Sequence, residues 1–209
     1  MKLKIGTLAV LCLLLIGSNA HAAVYKLDKD HTTVGFKIKH LFSWVNGTFD
    51  DFDGSFVYDP DKPDTWKVET DIKAASIDTR VAPRDKHLKG ADFFDVEKFP
   101  DITFKSSSIT DVTPETAKIH GVLSLHGVEK PVDLDLQIHG VVKDPWGNTT
   151  AGFTATTKIN RKDYGLTWNK AVETGQLLVG EEVEITIEVA GLLEEPVAPA
   201  PVQAATESK

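Results

Sequence analysis

IHGVLSLHGVEKPVDLDLQI, residues 119–138, alternates in two runs. Ile119, Gly121, Leu123 and Leu125 interleave with His120, Val122 and Ser124. Val132, Leu134, Leu136 and Ile138 interleave with Asp133, Asp135 and Gln137. Successive strand residues point to opposite faces, so each run has one apolar and one wet face. Gly127 sits inside the connection from His126 to Pro131, which reads as a hairpin joining antiparallel strands. The same period recurs at Val34, Phe36 and Ile38, at Ala151, Phe153, Ala155, Thr157 and Ile159, and at Val183, Ile185, Ile187 and Val189. Turn chemistry at 59–63 and in DPWGN, residues 144–148, separates further runs. The chain therefore reads as all-β with about eight antiparallel strands, the number at which a barrel either fills itself or holds a ligand. One short helical segment is expected over residues 83–90, and residues 169–178 fit neither period. No long amphipathic helix is available to cover a sheet, so the apolar faces must meet one another. A hollow barrel and a packed sandwich both satisfy that demand, and the residues alone leave both open.

Residues 1–22 read as a signal peptide. Lys2 and Lys4 form a basic start, the run from Leu8 to Ile16 is apolar, and Ala20-His21-Ala22 supplies a cleavage site ahead of Ala23. The apolar run is short for a membrane span. Cys12 is the only cysteine and lies inside it behind Leu11, where a lipid-anchored leader would need a small residue, so disulfide and thiolate chemistry are excluded from the expected body. Residues 23–193 are expected to form one domain, followed by a disordered Pro- and Ala-rich tail over 194–209.

The chain carries 23 basic and 31 acidic side chains. Without Lys2 and Lys4 the balance is 21 against 31, a net charge of −10. No cluster of Lys and Arg is present, which argues against nucleic acid as a partner, and the acidity opposes steady adsorption to anionic membranes. There is no Gly-x-Ser-x-Gly elbow, no phosphate-binding glycine loop and no dinucleotide fingerprint. His120 and His139 fall on the outward face of neighbouring strands, near-diagonal if the turn is 127–130. Such a pair needs further ligands to hold zinc, so no metal site is expected. Asp78, Arg80, Arg84, Asp85, Arg161 and Asp163 form a charged set in two loops. It reads either as ion pairs locking those loops or as a rim for the polar end of an apolar ligand.

Residues 84–106, RDKHLKGADFFDVEKFPDITFKS, set four phenylalanines among charges ahead of a strand. Rings of that size want burial, so the segment reads as a charged helical turn pinned onto β structure. Together with DKDHTTVGFKIKH (28–40), WVNGTFDDFDGSF (44–56), ASIDTR (75–80), GVLSLHGVEKPVDLDL (121–136) and INRKDYGL (159–166), in that order, it resembles the YceI-like family of bacterial periplasmic polyisoprenoid-binding proteins. The resemblance runs from about Val24 to Leu192. It implies two long opening strands, 28–40 and 44–56, and a lipocalin-like antiparallel β-barrel enclosing a long apolar ligand. It further implies a soluble, non-enzymatic periplasmic protein that carries or sequesters an isoprenoid lipid or isoprenoid quinone, needs no other cofactor, and forms a possible homodimer. A lipid-modifying enzyme would need an ionisable group in the lumen. A packed interaction module would have no cavity.

Alternation and aromatic placement nominate Phe36, Ile38, Phe42, Trp44, Phe49, Phe104, Leu123, Leu134, Leu136, Ile138, Phe153 and Trp168 as the lining. His40, Arg84, His87, Arg161 and Asp163 are nominated for the rim.

Overall fold

The computed structural model describes residues 23–194 other than Val172, Thr174 and Gln176. The expected leader, and all of the expected tail after Glu194, lie outside the described residues. Glu194 itself is held to the body, its backbone N–H donating to Val24 O at 2.8 Å.

Eleven strands form one antiparallel sheet: β1 (Val24–Leu27), β2 (Thr33–His40), β3 (Ser43–Phe49), β4 (Phe52–Val57), β5 (Lys67–Lys73), β6 (Ile77–Asp78), β7 (Asp101–Thr110), β8 (Thr116–Leu125), β9 (Val128–Lys143), β10 (Thr149–Asn160) and β11 (Val179–Leu193). One helix, α1 (Ala82–Lys89), follows β6. The order β1-β4-β5-β7-β8-β9-β10-β11 returns to β1, so these strands close into an eight-stranded barrel. Closure satisfies both edges of each ring strand and leaves every strand one inward face.

β2, β3 and β6 extend three of the staves. β11 pairs with β2 through Glu188 and then with β1 from Gly191 onward. β3 and β4 likewise follow one another around β2 and β1. The two long opening strands expected at 28–40 and 44–56 are thus each broken, and so is the stave after them. The breaks are a turn after Asp28, whose carboxylate accepts from Asp30 N at 3.0 Å, the pair Asp50-Asp51, and a 3₁₀ turn at Ala74–Ser76. They lie side by side: Asp50 N donates to Ser76 O at 3.3 Å and Lys73 N to Asp51 O at 2.8 Å. All three staves bend at one level. Beyond it β6 pairs only with β3, and α1 and residues 90–100 occupy the place beside it where β7 would otherwise continue.

The β8–β9 turn is tighter than 127–130. Leu125 pairs with Val128, and the two turn residues, His126 and Gly127, have φ of 52° and 73°. Two positive φ values match the right-handed twist of a hairpin. A Cβ at Gly127 would also lie 2.6 Å from the Phe99 ring. With this register His120 faces Asp133, not His139. His120 bonds to Asp133 Oδ1 at 2.7 Å and Thr110 Oγ1 at 2.8 Å, while His139 bonds to Thr154 Oγ1 at 2.8 Å. Among the described residues no group of three or more metal-ligating side chains is gathered.

Two apolar clusters fill the barrel unevenly. At the end away from α1, Tyr25 stacks on Phe56 with centroids 5.2 Å apart, and Phe153 meets Phe56 at 5.3 Å and Tyr58 at 4.9 Å. Trp66 seals this end against Tyr58 at 4.7 Å, its indole donating to Asp59 O at 2.6 Å. The second cluster, around Phe49, Phe52, Ile72, Tyr164 and Leu166, lies towards α1.

Candidate functional site: a lumen with one mouth

Between the clusters runs a cavity of about 660 Å³. Its wall is built by strand parity. Phe36 and Ile38 reach it from β2, Leu123 from β8, Leu134 and Leu136 from β9, and Phe153 from β10. Phe49 and Phe104 join them, and Trp168 closes in from the loop after β10. At the sealed end the lining residues Tyr58 and Trp66 are buried, whereas at the α1 end Val81, Pro83 and His87 are exposed. The lumen therefore opens beside α1, between the β2–β3 hairpin and residues 166–168 and 178–179.

Three nominated lining residues lie elsewhere. Trp44 pairs with Lys39 and shares its outward parity; its inward neighbour Val45 takes the wall position. Phe42 occupies the hairpin tip and is 86% exposed. Ile138 points inward but packs against the sealed aromatic cluster, beside the register shift between Gly152 and Phe153. Four residues outside the nominated set also line the cavity: Phe52 and Phe56 on β4, from the aromatic-rich opening of the chain, and Ile185 and Ile187 on β11. Their alternation carried the signal. Phe93 and Leu88 come from the covering segment, where no period marks them.

The polar groups gather at the mouth. His40, Arg84, His87 and Arg161 line it, while Asp163 is exposed and off the wall. Arg84 does not pair with a carboxylate across the two loops: its Nε donates to Thr79 Oγ1 and its Nη2 to Thr79 O, both at 2.7 Å. Asp85 accepts from Thr79 N at 2.9 Å and from its hydroxyl. Burial pushes the Asp85 carboxyl up, but the Thr79 bonds and the charges of Arg84 and Lys89 outweigh it and hold it below the ordinary value. In place of an ion-pair lock between the loops, hydrogen bonds hold the 79–85 loop to itself. His87, bonded to Asp92 at 3.0 Å, meets Trp168 edge-on with centroids 5.0 Å apart, and Phe93 meets Trp168 at the same distance.

Arg161 is the most buried charge at the mouth, 3% exposed. Asn160 Oδ1 accepts from Lys162 N at 3.0 Å and starts the 3₁₀ turn Arg161–Tyr164, which Gly165 ends at φ 79°. The guanidinium donates from Nε to Gly180 O at 2.8 Å and from Nη1 to Leu166 O, and so ties the turn to β11. Nη2 is buried and meets no acceptor among the described residues. Burial lowers the Arg161 pKa, which fits a cation short of compensation. Among the described residues no Asp, Glu, Ser or Cys lines the cavity.

Comparison with known proteins places this architecture. The YceI-like domain matches residues 25–191. A UPF0312 protein of Pseudomonas putida is 45% identical over 169 residues, covering 79% of this chain and 88% of its own length. The Campylobacter jejuni YceI protein has a solved structure similar to this one, with a TM-score of 0.65 at 37% identity, covering 81% of this chain and 97% of that one. A polyisoprenoid binding domain from Saccharophagus degradans shares the fold at 15% identity, with a TM-score of 0.60, covering 83% of this chain and 100% of its own.

Proposed function

The chain belongs to the YceI-like family, and on that premise we propose that it binds the hydrocarbon chain of an isoprenoid lipid inside the barrel and carries or sequesters it in the periplasm. A polyprenyl chain or the tail of an isoprenoid quinone is the ligand class. The observation that carries this reading is the cavity of about 660 Å³, walled by aliphatic and aromatic side chains and opening at one end. An isoprenoid chain is long and almost wholly apolar, and each CH₂ moved out of water is worth about 0.8 kcal/mol. Such a wall recognises length, width and branching without polar readout. The Saccharophagus degradans domain, described as polyisoprenoid binding, has the same fold and supports the choice of ligand class.

The polar end of the ligand would sit at the mouth. There Arg161 Nη2 offers a buried donor that lacks an acceptor, suited to a head-group oxygen. The ionisable groups near it are imidazoles and guanidiniums. Arginine stays protonated, and among the described residues the wall brings no carboxylate, serine or cysteine beside it. This favours binding over catalysis.

Native mass spectrometry of the mature protein, purified without detergent and followed by solvent extraction, tests the proposal. A bound species that fragments in isoprene units is expected. Protein that stays empty, also after incubation with polyprenols and isoprenoid quinones, would overturn it.

A further inference from the structure

The mouth wears an apolar crown that the lumen does not use. Phe42 at the β2–β3 tip is 86% exposed, Trp44 beside it 46%, and Leu177 45%. These side chains belong to one surface. Leu41 N donates to Leu178 O at 3.0 Å and Leu178 N to Lys170 O at 2.8 Å, which sets the hairpin tip, residues 177–178 and residues 168–170 side by side. Lysines accompany the rings. Lys39 Nζ lies 5.2 Å and Lys37 Nζ 5.1 Å from the Trp44 centroid, and Lys170 Nζ lies 5.9 Å from that of Trp168. Lys37 is paired with Glu184 at 2.8 Å. Lys39 donates to Phe42 O at 3.5 Å. Exposed aromatic rings flanked by lysine stems suit the boundary between acyl chains and head groups.

From this we infer that the crown is a docking face for a phospholipid bilayer, and that ligand passes between lumen and membrane while the mouth rests on it. The inference builds on the carrier reading above. Its physical basis is the cost of the alternative: a chain that leaves through water exposes every CH₂ on the way, so free desorption is slow. A mouth seated on acyl chains removes that barrier. The chain after the expected leader, at net −10, is repelled by anionic lipid, and the exposed Asp163 in the turn after β10 lies on the mouth side as well. Apolar contact therefore leads and the lysines follow, which gives brief visits rather than permanent attachment.

The test uses the mature protein and vesicles of phosphatidylcholine, with and without phosphatidylglycerol, some carrying brominated acyl chains. Bromolipid quenching of tryptophan is expected in the wild type and in Trp146→Phe, whose residue lies at the far end, and is expected to fall in Trp44→Phe. With solanesol as the loaded probe, the transfer rate should rise in proportion to vesicle concentration. The Phe42→Ser/Leu177→Ser variant should load normally but transfer about tenfold more slowly, having lost two apolar anchors. Three results would overturn docking: no quenching, transfer independent of vesicle concentration, or a crown buried in a dimer of this chain. Quenching by vesicles in a protein that refuses solanesol and isoprenoid quinones alike would sink the carrier reading and leave the docking face standing.

Discussion

Arg161 shows how much one buried charge decides. Its Nε and Nη1 fasten Leu166 and Gly180 across the mouth, and its Nη2 is left for something else. Lysine at this position keeps the charge but offers no planar fork. Arg161→Lys should therefore lose about 2–4 kcal/mol of unfolding free energy, because two backbone carbonyls lose charged donors. Denaturant titration checks this. The folded variant should also lose its preference for a quinone over a hydrocarbon of the same length, measured by competitive loading. An unchanged preference would remove Nη2 from head-group recognition. Gly127 makes a simpler case. At φ 73°, with the Phe99 ring 2.6 Å from where a Cβ would stand, Gly127→Ala should cost about 1–3 kcal/mol. A neutral result would mean that the turn and the Phe99 ring shift freely. Residues of this kind were only partly legible in the sequence. Gly127 announced a turn, but whether Trp44 faces in or out hung on a register that aromatic density does not encode. One residue of slip exchanges the faces, so Trp44 read as lining while Val45 took that place.

At the scale of elements, α1 is held by little of its own. None of its eight residues is buried, and it stays at the mouth through Thr79, Asp85 and Arg84 and through Phe93 and Phe94 just beyond it. Asp85 gives that anchor a pH dependence. Its carboxyl is held low in the folded protein, so it binds protons less readily there than in the unfolded chain. Its contribution is present above the unfolded value near 4 and is lost as pH falls through the depressed folded value. Amide exchange over residues 82–90 should accelerate on acidification below about pH 4, and Asp85→Asn should exchange fast throughout and lose that step. An identical profile in the variant would show that Asp85 does not hold the helix. The helix itself was readable from Pro83 and Gly90. The broken staves were harder: Asp28, Asp50 and Asp51 carry turn chemistry, yet apolar alternation resumes on either side of them. Only the cross-strand bonds at Asp51, Lys73 and Ser76 reveal that the breaks coincide.

For the whole molecule, alternation shows that apolar faces meet but not how closely. A packed sandwich and a hollow barrel write the same pattern, since parity reports direction and not distance. Closure of β11 onto both β2 and β1, and the sealed aromatic end, are what leave the space. Thr157 offers a way to weigh it. It lines the lumen three residues before the end of β10, between Ala155 and Ile159, with its side chain only partly buried. In a packed core, a phenyl ring forced in at this position would cost about 1–3 kcal/mol. In a hollow one it finds room and adds apolar contact. Thr157→Phe should therefore leave the denaturation midpoint unchanged or raise it, while solanesol loading falls because the ring stands where the chain would lie. Loss of both stability and loading would argue for a packed interior that opens only for its ligand. Stability kept with full loading would place the ligand away from β10. The combination of kept stability and lost loading is the one a preformed lumen requires, because the ring then competes with the ligand for space that the folded chain leaves open.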